Sequence, residues 1–444
     1  MTLPLLDYQL AGAAYLSRET RAGLFDAMGV GKTAQAIHAC DLVKAGRIIV
    51  VCPAAVREVW VGEFKKFSPF RRRILKGRDI QDLNLWMRGR ADVFLLSYEM
   101  ATKWAKRLEG DLIDVIIFDE GHYIKSPGAQ RTRAMLGAKC DGLHGLARWA
   151  AYAWFLTGTP APNEPIDLWP FLRFTGATTL PLRHFTDRYF KIRPTAYGQQ
   201  LSPRDEMMPE LQQAIRSRSL RRTKSEAGLK LPPIWLTTTT VDGDTHEIKA
   251  LLRQHEGLER AILEAIERGG LSFLDANHIM TLRRLVGEAK APAFVNLIAE
   301  ELANGLDKIV IYGVHKRALQ HVRDGLTKRG FGCVHIDGAV SERDRVSAVR
   351  EFQSNPGVHA FIGNIRAAGT GITLIAAADI VLMESDWSPA GNAQALNRVH
   401  RIGQEKQVRA RFITLANSID ETVNETLARK TSAILKVGFS DGVS

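Results

Sequence analysis

The sequence is short of several things, and each shortage removes a class of protein. Cys40, Cys52, Cys140 and Cys333 are its only cysteines in 444 residues, and none forms a C-x-x-C pair or a zinc-ligand spacing. A disulfide scaffold is excluded. Two of the thiols sit in apolar, strand-like runs, as free cysteines of a reducing compartment do. The most apolar stretch, Trp149–Thr157, stops well short of the ~20 residues a membrane-spanning helix needs. Met1 to Tyr15 has no positive n-region and no long apolar core, so no secretory leader is expected there. Also missing are a basic amphipathic helix with an aromatic face, any long low-complexity tract, a helix-turn-helix pattern and an appended reader domain. The expectation is a soluble, cytoplasmic protein with no membrane partner.

Acidic residues also fall short of basic ones, 48 against 60, for a net charge of +12 and an isoelectric point near 9.6. That excess favours a polyanionic partner, although basic surfaces also serve solubility alone. What is present in ordinary measure is apolar residues, at 45%. The length suggests two to three domains.

Short apolar runs recur between helical segments. Arg47–Cys52, Asp92–Ser97, Asp114–Phe118 and Ala153–Thr157 read as buried parallel strands of one α/β lobe. Lys308–Tyr312, Cys333–Ile336, His359–Ile362, Asp379–Glu384 and Arg411–Leu415 repeat the rhythm and predict a second parallel sheet. Two such lobes are expected to leave a cleft that opens and closes with a ligand. Residues 165–222 carry aromatic and basic side chains without a strand rhythm. Glu247 to Arg284 reads as two helices broken near Gly269–Gly270, after a strand-like Ile234–Val241. The lobe boundary is placed near Gly228–Pro233. The expected domains are 1–230, with a helical protrusion at 165–230, and 231–444, with another at 243–290.

Between an apolar stretch and an amphipathic helix lies Asp26-Ala27-Met28-Gly29-Val30-Gly31-Lys32-Thr33. Glycines 29 and 31 let backbone N–H groups approach phosphate oxygens, and the helix N-terminus adds positive potential. Lys32 can reach the β and γ phosphates, and the Thr33 hydroxyl can ligate Mg²⁺. The strict G-x-x-x-x-G-K-[ST] pattern is not met, since Asp26 occupies the first glycine position. The bland alternative is a glycine turn opening an ordinary helix. Asp119 and Glu120 then follow the apolar run Val115–Phe118, and acids at the carboxyl end of a buried strand face the ligand crevice. Asp119 is placed to hold Mg²⁺ and Glu120 to polarise the attacking water. Together the two segments predict an ATP site.

At this point the sequence resembles the Swi/Snf-type family of DNA translocases, within helicase superfamily two. The matching blocks run in family order over nearly the whole chain. Tyr8-Gln9 resembles the adenine-reading motif, and Asp26–Thr33 resembles D-E-M-G-L-G-K-T, with Ala27 and Val30 as departures. Cys52-Pro53 with Trp60 and Glu63, Ser97-Tyr98-Glu99, Asp119–His122 (DEGH), Ile124-Lys125 and Leu156–Pro160 (LTGTP) with Asn163 resemble the following blocks. Arg221-Arg222-Thr223-Lys224 and Leu231-Pro232 resemble the linker block. Asn364–Leu374 resembles the fifth motif, with Thr370 and Thr373 as departures. Gln394 to Gln404 matches the sixth motif, Q-x-x-x-R-x-x-R-x-G-Q, without a gap and is the most specific of all. Gly371 with its neighbouring threonine, and His400, are most similar to the annealing-helicase branch.

The resemblance implies two RecA-like parallel-sheet lobes in tandem, with helical protrusions flanking the linker between them. It implies ATP and Mg²⁺ as cofactors and double-stranded DNA as partner, engaged as a monomer with little sequence preference; any recruiting protein stays unnamed. Gln9, Gly29, Val30, Gly31, Lys32, Thr33 and Gly371 are expected to hold the nucleotide. Arg398 and Arg401, three residues apart and so on one face of a helix, are expected as arginine fingers, though such a pair can also be a basic surface. Thr157, Thr159 and Gln394 are expected to couple nucleotide to closure, although Thr157 and Thr159 also suit a simple turn.

Backbone contacts to DNA are expected from Pro53, Ser97, Tyr98, Lys125, Arg343, Arg366 and Thr370. Arg71–Arg73 and Arg216–Lys224 either extend that groove or, for the linker arginines, dock the lobes. Trp387 either packs around the sixth motif or braces nucleotide. No series of base-stacking aromatics accompanies these motifs, which argues against single strands. The leading function is therefore a DNA-stimulated ATPase moving on duplex DNA. A strand-separating helicase and a non-catalytic DNA-binding scaffold are the alternatives.

Overall fold

The central strands of the first sheet are apolar runs. Ile48–Cys52 and Val93–Ser97 are buried at every position, so both faces of these strands must be covered, as in a parallel sheet between helix layers. The computed structural model describes residues 3–158, 160, 165–195, 198–255, 257–268, 276–368 and 371–437. The chain divides into two units between Leu229 and Lys230.

In the first unit the strands are β1 (Arg21–Leu24), β2 (Ile48–Cys52), β3 (Ile74–Lys76), β4 (Val93–Ser97), β5 (Ile113–Asp119), β6 (Ala150–Leu156), the hairpin β7 (Phe190–Thr195) and β8 (Gly198–Pro203), and β9 (Ser219–Leu220). Seven of them form a parallel sheet in the order β3-β4-β2-β5-β6-β1-β9. Period-two alternation sends Ile49, Phe94, Ile116 and Phe118 to one apolar layer. Ile48, Val50, Val115 and Ile117 go to the other. Each such side chain contributes about 1.5–3 kcal/mol by leaving water.

The second unit holds β10 (Ile234–Val241), β11 (Ile309–Gly313), β12 (Gly332–Ile336), β13 (Val358–Asn364), β14 (Asp379–Leu382) and β15 (Val408–Leu415). They form a six-stranded parallel sheet in the order β10-β15-β14-β11-β13-β12. The expected α/β architecture of two parallel-sheet lobes is what the chain adopts.

Three details differ from expectation. The segment expected as a helical protrusion has helices at Trp169–Thr175, Leu182–Tyr189 and Met208–Ser217. It also contains the antiparallel β7–β8 hairpin, with Ile192 opposite Leu201. Pro194 and Pro203 hid that hairpin from a pattern search. Ser219–Leu220 leaves the protrusion altogether and joins the main sheet beside β1. Where two helices were expected over Glu247 to Arg284, the described residues form three: His246–Gln254, Leu258–Arg268 and Ala276–Ala303. The first break lies at His255 to Gly257, where Gly257 takes φ +82°. The expected break at Gly269–Gly270 lies outside the described residues. The last helix runs on through Pro292.

Cys40, Cys52 and Cys140 are buried free thiols, and Cys333 is half-buried. Among the described residues no helix is long and apolar enough to cross a membrane.

Candidate nucleotide site

The carboxyl ends of β1, β6 and β5 lie side by side, so the segments after them meet at one edge of the sheet. After β1 the chain turns through Gly29 and Gly31, both left-handed with φ +83° and +81°, and starts the helix Lys32–Leu42. At Gly31 the absence of a side chain has a second use: a Cβ there would lie 2.4 Å from Gln9 Nε2. Gln9 donates to the Val30 carbonyl at 3.2 Å, and the Tyr8 hydroxyl donates to the same oxygen at 2.8 Å. The segment expected to read adenine is thus fastened to the phosphate loop. Lys32 Nζ donates to the carbonyls of Asp26 (2.7 Å) and Ala27 (3.0 Å). Thr33 follows, half-buried, in the first turn of the helix.

Asp119 is the last residue of β5. The Trp60 indole, fully buried, donates to its Oδ2 at 2.8 Å, and the Glu120 N–H donates to Oδ1 at 3.0 Å. Desolvation and the adjacent Glu120 carboxylate push the Asp119 carboxyl up to about 6, against the opposing pull of Trp60 and Lys32. Glu120 itself sits at φ +51°, a left-handed conformation uncommon outside glycine and costly to hold. His122 Nδ1 lies 3.2 Å from Thr157 Oγ1 and 3.4 Å from Glu120 Oε2. Burial lowers the His122 pKa, which keeps the ring neutral. A Cβ at Gly158 would stand 2.6 Å from Met28 Cγ and 3.4 Å from Lys32 Nζ. Lys32, Asp119, Glu120 and Thr157 are therefore brought to one sheet edge, whereas Thr159 lies outside the described residues.

Trp60 and Asp26 hold the site without themselves reading as its members in the sequence. Trp60 was matched to a block but given no task. Asp26 looked like a defect in the phosphate loop and is instead a buried anchor. Its carboxylate, 0% exposed, takes a bidentate pair from Arg222, Nε at 3.1 Å and Nη2 at 2.5 Å. Gln35 Nε2 adds a third bond at 3.2 Å. A signal existed: a carboxylate inside an apolar stretch needs a cation, and R-R-T-K was the distant basic block.

The expected DNA contacts divide. Pro53 opens the short turn Ala54–Val56, and Arg343 is exposed on the helix Glu342–Ser354. Lys125 pairs with Asp167 at 2.9 Å and Arg366 with Asp386 at 3.0 Å. Ser97 and Tyr98 are corrected. Their side chains point inward, 4% and 2% exposed. The Ser97 hydroxyl caps the helix Tyr98–Trp104 through Met100 N, and the Tyr98 hydroxyl donates to the Asp119 carbonyl at 2.8 Å. Tyr98 thereby supports the acidic strand end. Arg72 is corrected likewise, since it is buried against Asp41 at 2.6 Å. Arg222 turns inward to the Asp26 carboxylate. Thr370 lies outside the described residues.

In the second unit the helix Pro389–Leu396 carries half-buried Gln394 and stops at Asn397, whose amide donates to the Ala393 carbonyl at 2.7 Å. Arg398 and Arg401 therefore lie in successive turns, not on a helix face as expected. Gly403, at φ +94°, continues that non-helical path. The turns are braced on the fifth motif. Leu374 N donates to the Arg398 carbonyl at 2.9 Å, Arg401 Nη1 to the Ile372 carbonyl at 3.3 Å, and Gln404 Nε2 to the Ala377 carbonyl at 2.8 Å. Gly371, at φ +72°, stands beside this contact. Trp387 packs under the Arg283 guanidinium, 4.7 Å from the ring centre.

The SNF2-related domain matches residues 8–289, and the helicase conserved C-terminal domain matches residues 289–403. The chain belongs to the SNF2-related family. This SNF2-related chain is 29% identical to the SWI/SNF-related matrix-associated actin-dependent regulator of chromatin subfamily A-like protein 1 of Xenopus tropicalis, over 98% of the chain and 45% of that protein. It is also 29% identical to the human DNA annealing helicase and endonuclease ZRANB3, over 96% of the chain and 40% of that protein. It thus spans less than half the length of these curated relatives. The solved Sulfolobus solfataricus SWI2/SNF2 ATPase core in complex with dsDNA aligns over 99% of the chain and 94% of its own, at 23% identity and a TM-score of 0.46.

SNF2-related ATPases work with Mg²⁺, and the oxygen donors at Thr33 and Asp119 suit a hard cation. Among the described residues no three His, Cys, Asp or Glu side chains converge as a metal cage. Mg²⁺ bound by one or two protein oxygens plus nucleotide phosphates needs none.

Proposed function

We propose that this chain hydrolyses ATP and moves along double-stranded DNA without separating its strands. The observation that supports the reading best is the meeting of Lys32, Asp119, Glu120 and Thr157 at the carboxyl edge of one parallel sheet. Lys32 leaves the Asp26 and Ala27 carbonyls for the β and γ phosphates. The N–H groups of the turn at Gly29–Gly31 cradle the same phosphates. Thr33 and Asp119 would hold Mg²⁺, which when bound would supply positive charge to the nucleotide phosphates. Glu120 orients and polarises the attacking water. Arg398 and Arg401 supply the further positive charge that such a transition state gains from an arginine finger. Thr157, touching His122, and Gln394 report the state of the nucleotide.

Duplex DNA is gripped by its phosphates, through residues near Pro53 and through Lys125, Arg343 and Arg366. That mode reads little sequence and weakens steeply with salt. The test measures phosphate release with no nucleic acid, with single strands and with duplex, beside triplex displacement and forked-duplex unwinding. Duplex-stimulated hydrolysis with triplex displacement and no unwinding is the expected result. Unwinding without triplex displacement would mark a strand-separating helicase, and absence of hydrolysis a scaffold.

A further inference from the structure

The last residues of the first unit lie along β1 and continue past its end. Gly23 N donates to the Arg218 carbonyl, Phe25 N to that of Leu220 and Ala27 N to that of Arg222, each at 2.8 Å. The third of these bonds is already inside the phosphate loop. The Arg222 side chain then folds back onto the same place. Besides its pair with Asp26, Nη2 donates to Gln35 Oε1 at 2.8 Å and Nη1 to the Tyr8 carbonyl at 2.5 Å. Gly12 makes room for this junction, because a Cβ there would lie 1.8 Å from Gln35 Oε1 and 2.7 Å from Arg222 Nη2.

The dipeptide Asp26–Ala27 is thus held from two directions. Lys32 holds its two carbonyls. Arg222 holds the Asp26 carboxylate and the Ala27 N–H. One residue beyond Arg222 the chain closes into a turn. Thr223 N donates to Glu226 Oε2 at 2.7 Å and Glu226 N to Thr223 Oγ1 at 3.1 Å. Ala227 N donates to the Thr223 carbonyl at 3.0 Å, Gly228 N to that of Ser225 at 2.8 Å and Leu229 N to that of Lys224 at 3.0 Å. The second unit begins at the next residue.

We infer that Arg222 is a positioning residue that carries nucleotide occupancy of the phosphate loop into the turn at residues 223–229, and so into the linker between the units. When Lys32 turns to a phosphate, Asp26 and Ala27 lose two hydrogen bonds at once. Arg222 is bonded to both residues, and Thr223 is its immediate neighbour, so the change reaches the linker through one residue. The inference rests on reading residues 26–33 as the nucleotide site.

The experiment is amide hydrogen exchange of residues 223–229 in the full chain, with and without a non-hydrolysable ATP analogue and with no DNA present. Binding of a fluorescent analogue is measured in parallel. The variants are Arg222→Lys and the double substitution Asp26→Asn with Arg222→Gln, which leaves no buried carboxylate unpaired. In the wild type, nucleotide is expected to change exchange at Ala227, Gly228 and Leu229 severalfold. In the double variant that response disappears at analogue concentrations at which the parallel titration shows the site saturated. Arg222→Lys, which keeps the charge but not the planar fork, restores part of it. A double variant that responds like the wild type overturns the inference, and so does a wild-type turn indifferent to bound nucleotide. Failure of the wild type to bind the analogue is a different result, which overturns the nucleotide-site reading itself.

Discussion

The two units hold their candidate residues by different means. In the first, side chain is tied to side chain: Trp60 to Asp119, Arg222 and Gln35 to Asp26, His122 to Thr157. In the second, the Arg398 carbonyl accepts from Leu374 N, and Arg401 Nη1 and Gln404 Nε2 donate to the Ile372 and Ala377 carbonyls. Removing a charge from the first network strands a buried partner. Removing the Arg401 guanidinium takes one donor from the Ile372 carbonyl. Function and stability should therefore be entangled in the first unit and separable in the second.

The largest effect expected is from Lys32→Ala, which should reduce phosphate release to the uncatalysed background while most of the duplex affinity survives. Hydrolysis near the wild-type rate, read beside a binding titration, would dissolve the contrast by removing the site from the first unit. Next comes Arg401→Ala. It should slow hydrolysis by about 10³-fold or more, with ATP binding little changed because the residue acts on the transition state. Equal losses in binding and turnover would make it a ground-state anchor, and Arg398→Ala should go the same way by less. Urea denaturation sharpens the comparison further. Arg222→Ala should cost about 3–5 kcal/mol, the usual penalty for stranding a buried charge. Arg401→Ala should cost less, and similar losses for the two would refute the distinction. The smallest effect is expected from Trp60→Phe. Packing is kept and only the indole N–H is lost, so the Mg²⁺ needed for half-maximal analogue binding should rise about tenfold, as for other outer-shell partners.

The architecture was legible because its strands are continuous apolar runs, and a buried parallel strand tolerates little else. The nucleotide residues were legible because Gly29, Gly31, Lys32 and Thr33 are contiguous, as are Asp119 and Glu120. What escaped was everything fixed by pairs distant in sequence. Asp26 and Arg222 are 196 positions apart and Trp60 and Asp119 are 59 apart, so neither motif announces its partner. Ser97 and Tyr98 were misjudged for a related reason. A hydroxyl that caps a helix and one that reaches phosphate look alike until burial is known. Arg398 and Arg401 have helical spacing, but the helix ends at Leu396 because Asn397 bonds back to Ala393.

The strand β9 and its arginine also impose an order on synthesis. The sheet of the first unit keeps a bare edge at β1, and Asp26 lacks its cation, until residue 222 has left the ribosome. From the end of β6 at Leu156, that wait covers the next 66 residues, on the order of 3–13 s at about 5–20 residues per second. During it a nearly complete lobe carries an unpaired strand next to a buried carboxylate, the kind of edge at which chains aggregate. Nascent chains arrested before residue 218 should accordingly be cut by protease around residues 24–33. Chains extended far enough for residue 222 to clear the tunnel should resist. The residue that fastens the linker to the phosphate loop would then be the one that finishes the lobe.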